Sequence, residues 1–266
     1  MKFLAFITVA GMLQSCNYEL DNLELQENYF GEPGKMSIQG YVLSDTDSVR
    51  VSANDKDIEV NKKTIFTKKL ETSYQFVSYF NNPTQKSFKV INNRTQEVMI
   101  TEDLDFSDPT AQLQDTISFF YKSPSILIKD VYKDKPGKLT SNNHTGFRFM
   151  FPNMNYYSKS DYTGTVDAIL TKFPSGELIA RVENIGKERF SEYIEFLYYS
   201  PPIMRLQLVK HGTTESYLNS GVAVTVDISL QTGKSKLIII EEKTDANGIF
   251  NGINASLDLR TYFTIN

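Results

Sequence analysis

Apolar and polar residues alternate with a period of two along most of the chain from about residue 36 onwards. This period is typical of β-strands that bury one face. In the first half of the chain, turn-forming residues separate the alternating runs at hairpin spacing, and the runs cover residues 37–43, 48–53, 57–60, 73–80, 87–91, 97–101 and 115–121. Short strands at this spacing predict an antiparallel β-sandwich.

The alternation is interrupted at Ser123-Pro124, and a similar strand running into a proline recurs at Ser200-Pro201. Because proline cannot donate to a β-ladder, the first of these positions suits a domain junction. We therefore predict an all-β protein with two tandem antiparallel β-sandwich (Ig-like) domains, residues 36–124 and 125–266. A looser internal similarity within residues 146–240 leaves open whether the second is one sandwich or two half-repeat units.

One segment, residues 187–197, also fits the period of an amphipathic helix, since Phe190, Ile194 and Leu197 recur three or four residues apart. The same residues continue an alternating apolar run. We predict a turn followed by a strand here.

The chain begins with Lys2 and an apolar stretch, residues 3–13, that is too short to span a bilayer. This is the plan of a secretory signal peptide. The sequence Leu13-Gln14-Ser15-Cys16 resembles a bacterial lipobox. The resemblance implies cleavage after Ser15 and acylation of Cys16 with chains such as palmitate. An ordinary signal peptide with an incidental cysteine is the alternative, but Cys16 is the single cysteine of the sequence, which favours lipidation.

Residues 1–15 are thus predicted to be a signal peptide and residues 16–35 a lipidated tether, which is polar and acidic. Glu19 and Asp21 resemble the acidic residues that route some gut-type bacterial lipoproteins to the outer cell surface. The implied location is the outer membrane, lipid-anchored through Cys16, with the cell surface favoured over the periplasmic face.

The charges are mixed along the chain, with 28 Lys and Arg against 32 Asp and Glu, giving a formal net charge of −4. Nucleic-acid binding would require a basic stripe to displace counterions from phosphate, so it is not expected. With Cys16 acylated no disulfide can form, and the domains must be stabilised by packing.

Motifs of common enzyme classes are absent from the sequence, including Gly-x-Ser-x-Gly, the P-loop and His-Glu-x-x-His. The two histidines, His144 and His211, are predicted to be surface loop residues. We expect a protein that is not an enzyme and that needs no cofactor.

The best candidate for ligand binding is a loop rich in tyrosine and amide side chains. Glycans are bound by flat aromatic faces together with amide and carboxylate groups, and binding loops cluster at the ends of sandwiches. The candidate residues are Asn153, Asn155, Tyr156, Tyr157, Asp161 and Tyr162. The alternative is that these tyrosines cap the edge of the core with their hydroxyls in water.

A weaker candidate for a calcium site is Asp245-Ala246-Asn247-Gly248. Oxygen ligands at i and i+2 followed by glycine begin calcium loops, so Asp245 and Asn247 are the candidate ligands. Asn-Gly between two strands is also typical of a tight hairpin turn.

Residues 147–240 resemble a family of secreted β-sandwich domains of unknown function, common in bacterial (Bacteroidetes-type) lipoproteins. The matching segments are Phe147-Arg148-Phe149, Val166-Asp167, Phe190-Ser191-Glu192-Tyr193, Pro201-Pro202 and Leu237-Ile238-Ile239-Ile240. The resemblance implies a β-sandwich and brings no catalytic residues.

Together these features predict an envelope lipoprotein that acts as a non-catalytic binding module for a glycan or host polymer. The alternative is a structural accessory subunit of an outer-membrane or surface assembly that binds an envelope protein through an exposed sheet edge.

Overall fold

The computed structural model describes residues 32–78, 86–104, 114–122 and 124–265. The predicted signal peptide, Cys16 and most of the predicted tether lie outside the described residues. The first strand begins at Glu32, so the last four residues of the predicted tether belong to a strand.

The described chain is all-β apart from one turn of 3-10 helix at Leu259–Thr261, which confirms the predicted fold class. Its strands are β1 (Glu32–Leu43), β2 (Val49–Ala53), β3 (Lys56–Asp57), β4 (Ile65–Phe66), β5 (Lys68–Ser78), β6 (Lys86–Asn92), β7 (Val98–Leu104), β8 (Gln114–Lys122), β9 (Ile126–Lys129), β10 (His144–Met150), β11 (Val166–Lys172), β12 (Leu178–Ile185), β13 (Ile194–Leu197), β14 (Ile203–Lys210), β15 (Val224–Ser229), β16 (Lys234–Thr244) and β17 (Phe250–Asp258).

The chain divides into two compact units. The first contains the described residues up to Gln39 together with Thr46–Ile117, and the second contains Gly40–Asp45 and Ser118–Asn266. The division therefore lies within β1 and β8, whereas the sequence places it after Pro124.

In the first unit, a sheet has the strand order β3-β2-β6-β7, with β4 also paired to β2. Val49 and Val51 of β2, and Phe88 and Val90 of β6, are fully buried at alternating positions. Three strands of this unit differ from the sequence expectation. The run predicted at 57–60 is strand only at β3, Lys56–Asp57. β4 is only two residues long and was not predicted. β5 begins at Lys68, five residues before the predicted run, and this start was missed because its first residues are largely charged.

The second unit contains a β-sandwich of two four-stranded sheets, with the orders β13-β10-β16-β17 and β12-β11-β14-β15. It is a single sandwich, because each sheet takes strands from both halves of the segment. Inward-facing apolar side chains of the two sheets form one core, as alternation requires. These include Phe147, Phe149, Ile238 and Ile240 from the first sheet, and Val166, Ala168, Leu206 and Leu208 from the second.

The first of these sheets is buried on both faces. Met150, Leu237 and Ile239 point away from the inner core and join a second apolar cluster with Phe120 and Ile128. This double burial explains why residues 237–240 form an unbroken apolar run instead of an alternating one. One pair in this sheet, β10 with β16, is parallel, which departs from the purely antiparallel sandwich that was predicted.

The segment with the helical alternative adopts a loop followed by β13, so the prediction of a turn and a strand is confirmed. Across the described ranges, no helix has the length and apolar character needed to cross a membrane.

Candidate functional site

The tyrosine loop, residues 153–162, lies in the connection between β10 and β11 of the second unit. Its backbone is organised by a single buried carboxylate, Glu242 of β16, which is 2% exposed. Oε1 of Glu242 accepts hydrogen bonds from the N–H of Asn155 (3.0 Å), the hydroxyl of Ser158 (2.6 Å) and the hydroxyl of Tyr217 (2.9 Å). Oε2 accepts from the N–H groups of Tyr157 (2.7 Å) and Ser158 (3.0 Å).

Glu242 has no Lys or Arg partner within ion-pair distance in the described part of the chain. Five donors, three of them backbone N–H groups, take the place of a cation. Hydrogen bonds to a charged acceptor are stronger than neutral ones, so this arrangement fixes the path of the loop from Asn155 to Ser158. The buried Tyr217 hydroxyl has a raised pKa because of its burial and of the neighbouring Glu242 charge.

Asn153 and Asn155 face inwards and serve the loop itself. Asn153 is buried; its Nδ2 donates to the backbone oxygen of Glu242 (3.1 Å) and its Oδ1 accepts from the N–H of Glu242 (2.8 Å). Asn155 has a φ of 65°, a left-handed conformation that asparagine tolerates, and its Nδ2 donates to the backbone oxygen of Tyr162. The Asn153 amide thus ties the loop to β16, whereas the Asn155 amide donates within the loop and its Oδ1 is buried without a hydrogen-bond partner in the described chain.

Tyr156 and Tyr157 lie at the outer part of the loop. The Tyr156 side chain is 43% exposed, and its ring meets that of Tyr157 nearly at a right angle (88°), with centroids 4.8 Å apart. Edge-to-face packing of this kind is favourable for aromatic pairs. The Nζ of Lys159 lies 5.2 Å from the centroid of the Tyr156 ring. The loop therefore presents an aromatic surface with a cation beside it.

Asp161 and Tyr162 end the loop. Exposed Asp161 accepts a hydrogen bond from the Nδ2 of Asn219 (3.0 Å), and this pair is open to solvent. Tyr162 is half-buried and links two backbone segments, since its hydroxyl donates to the backbone oxygen of Thr165 (2.7 Å) and accepts from the N–H of His211 (3.1 Å). Of the six predicted residues, Tyr156 and Asp161 are exposed to solvent and Tyr157 is half-buried.

A second buried carboxylate, Asp167 of β11, was not singled out by sequence reasoning. Its side chain is fully buried. It accepts from the Nε (2.9 Å) and Nη2 (2.6 Å) of Arg181 and from the Nδ1 of His211 (2.8 Å), and also from the N–H groups of Gly212 (2.9 Å) and Asn184 (3.0 Å). The sequence feature that could have identified Asp167 is its position between Val166 and Ala168, inside an otherwise apolar strand.

The pKa of Asp167 reflects two opposing effects. Burial raises the pKa of the carboxyl, but the surrounding donors outweigh it and hold the pKa below its usual value. These donors are, in order of effect, the N–H of Gly212, the side chains of His211 and Arg181, and the N–H of Asn184.

His144 is also oriented by a carboxylate. Its Nδ1 lies 2.6 Å from Oε1 of Glu195, which accepts from the hydroxyl (2.6 Å) and the N–H (2.8 Å) of Thr140. The Thr140 hydroxyl is the main reason that the pKa of Glu195 lies below its usual value. Both histidines thus orient towards carboxylates. In the described ranges, no group of three or more His, Cys, Asp or Glu side chains could hold a metal ion.

The candidate calcium residues lie in the loop between β16 and β17. Oδ1 of Asp245 accepts from the N–H groups of Asn247 (2.9 Å) and Ile249 (3.0 Å), while Gly248 has a φ of 79°. One carboxylate oxygen therefore holds the turn, which is the role that the hairpin alternative gives to this sequence.

No protein-family model matches the chain, and no curated protein matches it in sequence. Two solved structures show low similarity. Family 41 carbohydrate-binding modules from streptococcal virulence factors, studied for α-glucan recognition, align with 9% identity and a TM-score of 0.22, over 78% of this chain and 93% of that chain. A candidate adhesin from Bacteroides ovatus aligns with 8% identity and a TM-score of 0.21, over 85% of this chain and 93% of that chain. These scores define no shared fold, so the functional assignment rests on the site.

Proposed function

We propose that this protein is a non-catalytic binding module of the cell envelope, anchored in the outer membrane by lipid on Cys16, that binds a glycan at the cell surface through the tyrosine loop. The observation that carries the proposal is the exposed ring of Tyr156, packed edge-to-face on the half-buried Tyr157, on a loop whose backbone is held by the buried Glu242. The ammonium group of Lys159 lies over the Tyr156 ring, and the exposed Asp161–Asn219 pair lies at the end of the same loop.

A sugar ring has an apolar face of C–H groups and a rim of hydroxyls. The exposed ring of Tyr156 matches the apolar face, while Lys159, Asp161 and Asn219 provide donors and acceptors for the rim. Because Glu242 already fixes the loop, binding costs little additional ordering of the backbone. A rigid aromatic surface with a polar rim is the arrangement that glycan binding requires.

The test is a glycan array probed with the mature chain (residues 16–266) carrying Cys16→Ala. Tyr156→Ala and Tyr157→Ala should abolish or strongly weaken the signal, whereas Tyr156→Phe should retain it because the ring is kept. Leu178→Ala is the matched control, since Leu178 is an exposed apolar residue (64%) on β12, outside the loop. An array on which nothing binds, or on which all variants bind alike, would refute the proposal.

A second candidate function is that of an accessory subunit that binds another envelope protein. Edge strands β12 and β13 carry the exposed residues Leu178 (64%) and Leu197 (58%), and exposed edges can accept a further strand. A stoichiometric partner that co-purifies from native membranes, and that is lost with Leu197→Lys but kept with Tyr156→Ala, would favour this function.

A further inference from the structure

A cleft of about 420 Å³ lies where β16 begins and β17 ends, and the turn Leu259–Thr261 and the residues after it form one of its walls. Among the described residues, three basic side chains line it, those of Lys234, Lys236 and Arg260, together with a single carboxylate, Asp258. Lys236 and the loop anchor Glu242 are six residues apart on β16, which is about 20 Å along a strand. The cleft is thus separate from the tyrosine loop.

The basic groups of this cleft have few partners inside the protein. Within the described residues, the side chain of Lys234 forms no hydrogen bond or ion pair, and the Nζ of Lys236 makes one long hydrogen bond, to the backbone oxygen of Ser229 (3.5 Å). Nη1 of Arg260 donates to the backbone oxygen of Ser235, which leaves its Nε and Nη2 without a partner in the described chain.

One oxygen of the acidic residue in the cleft already accepts two backbone hydrogen bonds. Oδ1 of Asp258 accepts from the N–H groups of Leu237 (3.2 Å) and Arg260 (3.1 Å), where it caps the 3-10 turn. Asp258 forms no ion pair with Lys236, although its charge acts on that amine. Three cations against one carboxylate give the described part of the lining a surplus of positive charge.

Lys236 is half-buried, and removing an ammonium group from water is unfavourable unless an opposite charge compensates it. Burial accordingly lowers the pKa of Lys236, and the charge of Asp258 offsets this only in part. A bound anion would supply the missing counter-charge. The cleft is also much larger than one ion, since a water molecule occupies about 30 Å³ in the liquid.

From this geometry we propose that the cleft binds an acidic saccharide, with the carboxylate or sulfate group of the sugar held between Lys236 and Arg260. Arg260 offers its unpartnered guanidinium N–H groups to the oxyanion, a geometry that suits carboxylate and sulfate oxygens. The remaining volume accommodates the sugar ring, in the range of small-ligand sites.

The proposal is tested by titrating the mature chain (residues 16–266, Cys16→Ala) at low salt with glucuronate, glucose 6-sulfate, glucose and inorganic sulfate, followed by NMR. Both acidic sugars should bind and shift the amides of residues 234–236 and 258–264. Glucose should not bind. The pKa of Lys236 should rise on binding, because an anion favours the charged amine.

Lys236→Gln and Arg260→Gln should each weaken binding of the acidic sugars about tenfold or more, as expected for loss of a charge-assisted hydrogen bond. Lys243→Gln is the matched control, since Lys243 is an exposed lysine on the same strand with no ion pair in the described chain. Thermal unfolding of the variants checks that they fold.

Equal affinity of the wild type and Lys236→Gln, or no saturable binding of either acidic sugar up to about 50 mM, would overturn the proposal. Inorganic sulfate binding as tightly as the sugars would overturn the assignment to a saccharide. The result is independent of the tyrosine loop, because Tyr156→Ala should leave this titration unchanged.

Discussion

Replacing Glu242 by glutamine tests whether this carboxylate holds the tyrosine loop. In glutamine one acceptor oxygen becomes an NH₂ donor. If the NH₂ group replaces Oε2, the N–H groups of Tyr157 and Ser158 both lose their acceptor. If the NH₂ group replaces Oε1, the hydroxyls of Ser158 and Tyr217 can rotate to accept from it, but the N–H of Asn155 can only donate and loses its acceptor. At least one backbone N–H is left without a partner in either case.

An unsatisfied buried donor costs about 1–3 kcal/mol, and the remaining bonds lose the assistance of the charge. The lower cost of burying a neutral amide offsets part of this loss. We therefore expect Glu242→Gln to lower the free energy of unfolding of this region by roughly 2–4 kcal/mol. The amides of Tyr157 and Ser158 should exchange correspondingly faster.

The assay combines hydrogen exchange of residues 153–162 with urea unfolding followed by far-UV circular dichroism, since the chain has no tryptophan to report by fluorescence. Glu177→Gln is the control. Glu177 pairs with Lys172 on the surface (2.6 Å), and such pairs contribute about 0–1 kcal/mol. If Glu242→Gln changed exchange and stability no more than Glu177→Gln does, the anchoring role of Glu242 would be refuted.

Three further predictions concern other parts of the molecule. Asp167→Asn should lower the free energy of unfolding at pH 7 by about 2–3 kcal/mol. Because the folded-state pKa of Asp167 is lowered, its contribution to stability is present above the ordinary value of 3.8 and is lost as pH falls through the lowered pKa. The difference in stability between wild type and variant, measured by urea unfolding, should therefore shrink towards pH 3. Gly146→Ala should destabilise by about 1–3 kcal/mol, since its Cβ would lie 2.1 Å from the hydroxyl oxygen of Tyr193, whereas Gly186→Ala, with its nearest neighbour at 3.6 Å, should cost less in thermal unfolding. Cys16→Ala should release the folded protein from membranes, and its retention there after a carbonate wash would contradict lipidation.

The strands could largely be predicted from the sequence because most of them bury one face. Val49 and Val51 alternate with Arg50 and Ser52, so the period-two pattern locates β2 directly. The two-residue strand β4 and the charged start of β5 could not be predicted in this way, because short or polar strands are defined by their pairing partners. The parallel pairing of β10 with β16 joins residues about ninety positions apart, as with Thr145 and Lys234, and local patterns carry no information about it.

The candidate site was predicted less completely than the fold. Tyrosines and amides in one loop marked residues 153–162, but composition does not show which side chains turn inwards, as Asn153 and Asn155 do. The sequence did indicate that Glu242 points inwards, since it lies two and four residues after Ile240 and Ile238, which face the core. Its donors in the tyrosine loop lie 84 to 87 residues away in sequence, so its role required the tertiary structure.

The proposed glycan site is tested most directly by the affinity of Tyr156→Ala, compared with Tyr156→Phe, for whichever glycan the array identifies. Tyr156 is 43% exposed, which for a tyrosine leaves on the order of 90 Å² available to a ligand. At about 25 cal/mol per Å², covering all of this area contributes about 2 kcal/mol and covering half of it about 1 kcal/mol. Calorimetry should therefore show that Tyr156→Ala lowers the affinity for the glycan about 5- to 30-fold, whereas Tyr156→Phe changes the affinity little. Unchanged affinity of Tyr156→Ala for the bound glycan would contradict the assignment of this site.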